Sequence, residues 1–334
     1  MQLKQYPAPH IRNSQTTRGV MADAIAALSF LYAMAYYYHG PRPLVMGLGS
    51  VAICLLCDVV CTVIARRRYN LSDYSAVVTG MILPLMMPAS VDYRIVAVAG
   101  IFAIVVAKAP FGGVGHNVFN PAAAGFSFAA ICFGDALFTY PPADLKLPLW
   151  GSIEFPLTSS PAFVLRLGGT PNYDSMSILL GKYPGPMGAT NILVLVACLI
   201  YLVSRGTIRW SMPLSFFATV GVLAFAFPRS AAGGLASVVY ELASGLLLFG
   251  GIFLLGDPVT TPKREMSKVA FAITSGVMVM LFRHFGNMEE GITFALLVMN
   301  AAVWGFDMAG EYVARMIRRR KLETFEGAKV PKKV

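Results

Sequence analysis

Ten apolar runs follow one another along this chain, separated by polar, proline- and glycine-bearing segments: Val20–Tyr38, Pro43–Ala65, Ser75–Val91, Ile95–Ala109, Phe119–Gly134, Ala189–Ser204, Ser211–Pro228, Leu235–Gly256, Lys268–Phe282 and Ile292–Gly310. Several fall just short of the roughly 17 residues an upright membrane-crossing helix needs. The pattern predicts an all-α integral membrane protein of about ten transmembrane helices, some of them short or broken. Composition agrees. Only 13% of the 334 residues are charged while 56% are hydrophobic, and mean hydropathy is +0.64. A soluble domain carries roughly 25% charge.

Basic residues orient the runs. With the N-terminus inside, Lys4, Arg12, Arg18, Arg66, Arg67 and Arg68 fall on the cytoplasmic side, as do the basic residues of the tail. In all, 20 of the 27 Lys and Arg residues lie inside, which is the positive-inside distribution. Both termini are therefore expected in the cytoplasm. The net charge of +10 is explained by topology and by anionic lipid, and calls for no nucleic-acid partner.

The runs divide into two sets of five. Residues 1–19 read as a cytoplasmic arm, 20–134 as the first five-helix repeat, and 135–188 as an extracytoplasmic loop. Residues 189–310 read as the second repeat and 311–334 as a basic cytoplasmic tail. Phe111-Gly112 and Asn120-Pro121-Ala122-Ala123 in the first set are answered by Phe285-Gly286 and Asn300-Ala301-Ala302 in the second. An odd number of crossings per set makes the repeats inverted, and interrupted helices in inverted repeats point to a site near the repeat interface.

Chemistry concentrates in two segments. Phe111–Asn120 carries Gly112, Gly113 and Gly115 with Asn117 and Asn120, between two apolar runs. Irregular backbone at membrane depth survives only where protein or a water-filled cavity satisfies it, so this segment either binds something or is a structural break. The second segment is Gly188-Ala189-Thr190 at the start of the sixth run, where Thr190 is expected exposed near the outer surface. Its hydroxyl either caps the helix or carries a covalent group.

Other features are less specific. Cys54, Cys57 and Cys61 have metal-like spacing but sit inside an apolar run, where packing explains them. Asp23, Asp58, Asp257 and Asp307 lie in or beside runs, where acids are costly and either paired or functional. Arg283-His284 reads as a rim feature.

In order along the chain, Phe111-Gly112-Gly113 through Asn120-Pro121-Ala122, Gly188-Ala189-Thr190, Gly256-Asp257-Pro258-Val259-Thr260-Thr261-Pro262 and Arg283 through Asn300 resemble the RnfD component of the Rnf complex. The related NqrB component of the sodium-pumping NADH:quinone oxidoreductase shares these motifs. The resemblance implies the membrane subunit of a ferredoxin:NAD⁺ oxidoreductase coupled to sodium or proton translocation, an enzyme incomplete without its other Rnf components (A, B, C, E and G). It implies FMN joined to Thr190 by a phosphoester, with Gly188 and Ala189 beside it. It also implies a non-covalent riboflavin near Asn117 and Asn120, with Gly112, Gly113 and Gly115 allowing close approach. Met187 and Pro184 depart from the family's usual hydroxyl residue and aspartate at those positions. No dinucleotide-binding fingerprint or cluster-forming cysteine set is present, so NAD⁺ and ferredoxin are expected to bind other subunits. The alternative reading is a small-solute channel or transporter of five-helix inverted repeats.

Overall fold

The computed structural model describes residues 16–66, 73–113, 115–151, 156, 158–231, 233–286 and 289–328, with side chains described to residue 318. Among them, regular structure is helical apart from one isolated antiparallel bridge between Tyr140 and Thr158. Each of the ten apolar runs holds a helix. The first set comprises α1 (Thr17–His39), α2 (Arg42–Ile64), α3 (Ser75–Leu85), α4 (Tyr93–Ile101), which continues into a wide π-type turn at Phe102–Val106, and α5 (Pro121–Cys132). Three short helices follow: α6 (Gly134–Leu137), α7 (Pro161–Arg166) and α8 (Ser175–Leu180). The second set comprises α9 (Ile192–Ser204), α10 (Ser211–Ala226), α11 (Gly234–Ala243), α12 (Leu247–Phe249, with a second wide turn at Gly250–Leu254), α13 (Glu265–Phe285) and α14 (Ile292–Ala328).

Local chemistry fixes the ends. Thr16 Oγ1 accepts from the Gly19 N–H at 3.1 Å to cap α1, which stops at Gly40 with φ 80°. Asp92 caps α4 and Asn120 caps α5, each through side-chain oxygen on orphan N–H groups of the first turn.

Length separates the helices. Four (α1, α2, α13 and the Ile292–Arg318 part of α14) are long and apolar enough to cross a membrane, and a fifth crossing follows if α11 and α12 count together. The third and eighth runs are not the continuous spans the pattern predicts. α3 ends at Leu85 rather than near Val91, because Pro88 disfavours helical backbone at Met87 and cannot donate. The eighth run bends by 67° between α11 and α12, where Gly245 takes φ 65°. The last run continues as helix well past Gly310.

α2 packs on α3 and α4, and α5 on α4; α10 packs on α11 and α13, and α13 on α14. The two groups meet where α1 touches α9 and where α5 touches α14. Large apolar side chains point outward around the body, among them Leu48, Ile64, Ile200, Val222 and Trp304. Charged and hydrogen-bonding groups turn inward, which is the arrangement a lipid environment favours. The described residues between 135 and 151 and between 158 and 188 fold back over helix ends. Arg42, buried, ties them down by donating to the carbonyls of Ala89, Val91, Pro148 and Leu149.

Candidate functional site

One end of the molecule holds a cleft of about 750 Å³ not filled by protein atoms, part of it open to solvent. Its walls are the start of α1, the start of α3, the end of the α4 turn, the start of α5 and the segment after α12. Its polar lining comes from Asn117, Asn120, Lys108 and Asp257, with Ser75, Thr79 and Thr207. Asn120 Oδ1 accepts from the N–H groups of Ala122 (3.0 Å) and Ala123 (3.2 Å), and its Nδ2 donates to Asp257 Oδ2 at 3.2 Å. With its amide oriented to satisfy both ends, Asn300 accepts from the Asn120 N–H at 3.0 Å and donates to the Leu296 carbonyl. The two asparagines paired by sequence pattern therefore meet, and Asp257 joins them.

Asp257 also accepts from the Val259 N–H and the Thr260 hydroxyl. Loss of hydration still holds its carboxyl above the ordinary aspartate range, against those two hydrogen bonds. Lys108 Nζ is paired with Asp58 Oδ1 at 2.9 Å. Asn117 Oδ1 is buried and, among the described residues, accepts no hydrogen bond. An orphaned acceptor on a cleft wall fits a ligand that brings its own N–H or O–H.

Gly113 and Gly115 both have φ 86°, a left-handed backbone that glycine adopts without strain, and a Cβ built on either meets nothing within 4 Å. Neither they nor Gly112 line the cleft.

At the other end, residues 183–190 form a packed loop bridging two helix ends. The N–H groups of Met187 and Gly188 donate to the carbonyls of Met87 (3.1 Å) and Leu85 (2.8 Å), just past and at the end of α3. Tyr183 Oη donates to the Ala243 carbonyl at the end of α11 at 2.6 Å. Thr190 follows, and two expectations about it are corrected. It is 7% exposed rather than open on the surface, because this loop folds over it. It also leaves the capping of α9 to Asn191, whose Oδ1 accepts from the Val194 N–H at 3.0 Å. The residue before that cap sits at the positive end of a 13-residue helix, which suits a phosphate group there.

The cleft and Thr190 lie at opposite ends of α1, α3 and α9. Along α9, the 12 residues from Thr190 to Leu202 on the cleft wall span roughly 18 Å.

Two further acids that the sequence singled out are engaged. Asp23 accepts from Arg205 (3.1 Å) and Thr207 (2.9 Å), and Asp307 from the Lys263 N–H (2.9 Å). Cys54 is buried against α4, its Sγ 4.0 Å from the Gly100 carbonyl.

Sequence reasoning missed one cluster. Arg283 is not a rim residue but buried, donating to Glu241 Oε2 at 2.5 Å, and Arg229 donates to Glu241 Oε1 at 2.5 Å. Glu289 and Glu290 adjoin it. The one signal that could have found it was Glu241, an acid inside an apolar run.

A family model described as the NQR2, RnfD, RnfE family matches residues 4–312. The chain belongs to that family. It is 29% identical over 303 residues to the D component of the Na⁺-translocating ferredoxin:NAD⁺ oxidoreductase complex of Acetobacterium woodii, covering 88% of this chain and 89% of that protein. It is 27% identical over 306 residues to the D component of the proton-translocating ferredoxin:NAD⁺ oxidoreductase complex of Clostridium ljungdahlii (88% and 90% covered). With the D component of the ion-translocating oxidoreductase complex of Stutzerimonas stutzeri it shares 30% over 319 residues (85% and 88% covered). This is a multi-pass membrane protein of that family.

Proposed function

We propose that this chain is RnfD, the flavin-carrying membrane component of an ion-translocating ferredoxin:NAD⁺ oxidoreductase, working only alongside the Rnf components A, B, C, E and G. The observation that supports the reading is that Asn117–Asn120 and Thr190, the two places where the resemblance implies flavins, lie toward opposite ends of α9 in a chain that matches the family over nearly its whole length. Bound flavins supply the redox chemistry, moving one or two electrons at a time. The protein supplies position. Thr190 offers the hydroxyl for a phosphoester to FMN, and the α9 N-terminus offers orphan N–H groups and a favourable dipole to the phosphate.

In the cleft, Asn117 and Asn120 would hold riboflavin by hydrogen bonds, and Asp257 fixes the Asn120 amide. The helices fit ten crossings in two inverted repeats of the bacterial or archaeal cytoplasmic membrane, both termini inside, with Thr190 outside and the cleft inside. The fold then spans the bilayer between two electron carriers. Identity to the sodium- and proton-translocating relatives is nearly equal, so overall similarity leaves the ion undetermined.

The test is expression with the partner subunits, then a denaturing gel viewed under ultraviolet light. Yellow-green fluorescence should travel with this chain and vanish in Thr190→Ala, and mass spectrometry should find FMN on the Thr190 peptide. Acid extraction should release riboflavin, at lower yield from Asn120→Ala. A colourless chain with an unmodified Thr190 peptide overturns the proposal, and solute flux through that colourless chain would favour a channel.

A further inference from the structure

The buried charge cluster lies beside the 67° break between α11 and α12 and is used by neither candidate flavin site. Its two inner arginines are engaged with Glu241 and backbone carbonyls, and of their groups Arg283 Nε is buried with no hydrogen-bond partner among the described residues. Arg283 donates to Glu241 through Oε2 and backbone carbonyl, and to the Ser244 carbonyl at 3.0 Å. Arg229 donates to Glu241 Oε1 and to the Arg283 carbonyl at 2.7 Å. Glu241 thus consumes both.

Glu290 is left with little. It is 1% exposed, and Arg283 Nη2 stands 3.8 Å away, beyond hydrogen-bond reach. Among the described residues neither Glu290 carboxyl oxygen accepts a hydrogen bond; the Leu246 N–H faces the group but falls outside hydrogen-bond geometry. The carboxyl presses against Gly245, where any side chain would collide with it. Glu289, 6% exposed, accepts from Ser160 Oγ, the N-cap of α7. An ionised carboxylate buried without donors is strongly disfavoured, whereas a protonated one is not.

We infer that Glu289 and Glu290 form a proton-binding site at the α11–α12 break, holding one exchangeable proton between them. Uptake converts one carboxylate to a neutral carboxyl and release returns it, with no other bond made or broken. A metal cation is the poorer occupant. The carbonyls of Glu241, Ala243 and Ser244 are already taken by Arg283 and Tyr183, and a guanidinium stands where a second cation would enter. Among the described residues no acid, His or Cys set could hold a metal ion.

The groups facing the pair are Arg283 from α13, Glu241 from α11, Arg229 before α11, Ser160 and Arg166 from α7, Tyr140 after α6 and Tyr183 before Thr190. Burial pushes Glu289 up to about 8 and Glu290 up to about 7, with Arg283 opposing both and the like charge of the neighbour adding to Glu289.

Infrared difference spectra of the purified complex between acid and alkaline pH, in H₂O and D₂O, test this. The wild type should show a protonated-carboxyl carbonyl band that titrates near neutrality and shifts in D₂O. Glu290→Gln should abolish or halve it. In Glu289→Gln the band should remain but titrate at lower pH, because the carboxyl held higher has gone and Glu290 alone is left. That variant keeps the test open if Glu290→Gln does not assemble. A wild-type spectrum without the band, an unmoved midpoint in Glu289→Gln, or a band governed by sodium concentration instead of pH overturns the inference. In-gel flavin fluorescence on the same preparations separates this from the flavin assignment, since the infrared band does not depend on it.

Discussion

Gly188 is where the outer loop comes closest to α3, and an added methyl there should be felt at Thr190. A Cβ on Gly188 would lie 2.6 Å from Leu85 Cβ and 2.9 Å from the Leu85 carbonyl oxygen. Carbon atoms rest about 3.5–4.0 Å apart, so the loop must retreat by roughly 1 Å. That retreat stretches the 2.8 Å bond from the Gly188 N–H to Leu85 and the 3.1 Å bond from Met187 to Met87. Overpacking costs about 1–3 kcal/mol, and stranding a buried carbonyl costs a further 1–3, roughly. Gly188→Ala should therefore lose about 2–6 kcal/mol and lower the fraction of chains fluorescent at Thr190, two residues away. Gly134→Ala is the control, because a Cβ there meets nothing within 4 Å. The assay pairs thermal unfolding of the complex in detergent with in-gel fluorescence per mole of chain. Equal melting temperatures and equal fluorescence for the two variants would refute the close-packed account of this loop.

Asn191→Ala should destabilise α9 by about 1 kcal/mol through loss of its cap, while Thr190→Ala costs much less; thermal melts of the unflavinylated chain decide, and the reverse order would restore Thr190 as the cap. Lys108→Ala leaves Asp58 charged and half-buried beside the cleft and should cost about 3 kcal/mol or more, whereas Lys108→Ala with Asp58→Ala recovers a substantial part of it in the same melts. Glu289 and Glu290, held at about 8 and about 7 against an ordinary 4.5, bind more protons folded than unfolded across that interval. Stability should accordingly be full near pH 4.5 and fall as pH rises toward 8, by up to about 1.4 kcal/mol per pH unit per proton. Melts of Glu289→Gln and Glu290→Gln should show a flatter profile there, and an unchanged slope in both would contradict the burial.

The helices themselves were legible because apolar runs of this length have few other uses: all ten are helical, and most ends lie within three residues of those expected. Their geometry was less so. Pro84 and Pro88 announce trouble in the third run, but only the packed structure shows the helix stopping at Leu85. The cleft was half visible. Asn117 and Asn120 stand out as amides among glycines, yet Asp257 arrives from 137 residues away in the chain, and no local pattern carries that distance. The charge cluster was hidden for the same reason, apart from the hint of Glu241 inside an apolar run. Arg229, Glu241 and Arg283 belong to three elements, and a lone Arg beside a His looks like any helix terminus until Glu241 is placed 2.5 Å from it.

Thr190's burial has a cause that follows from the breaks. A helix that stops at depth leaves carbonyls without partners, and lipid offers none. α3 stops at Leu85 and α11 at Ala243, so groups elsewhere in the fold must supply donors to both ends. Residues 183–188 do so for each: two backbone N–H groups reach the α3 end and one phenol reaches the α11 end. A loop pinned at both points has little freedom left, and Thr190 comes to rest wherever the pinning puts it, just ahead of a helix already capped by Asn191. The threonine is thus positioned by the hydrogen-bonding demands of two broken helices and not by any demand of its own. Substitutions that free the Ala243 carbonyl should consequently disturb Thr190 without touching it. Tyr183→Phe removes that one donor, and reduced modification at Thr190 in an otherwise assembled complex is the expected result; full modification would show that α3 alone sets the loop.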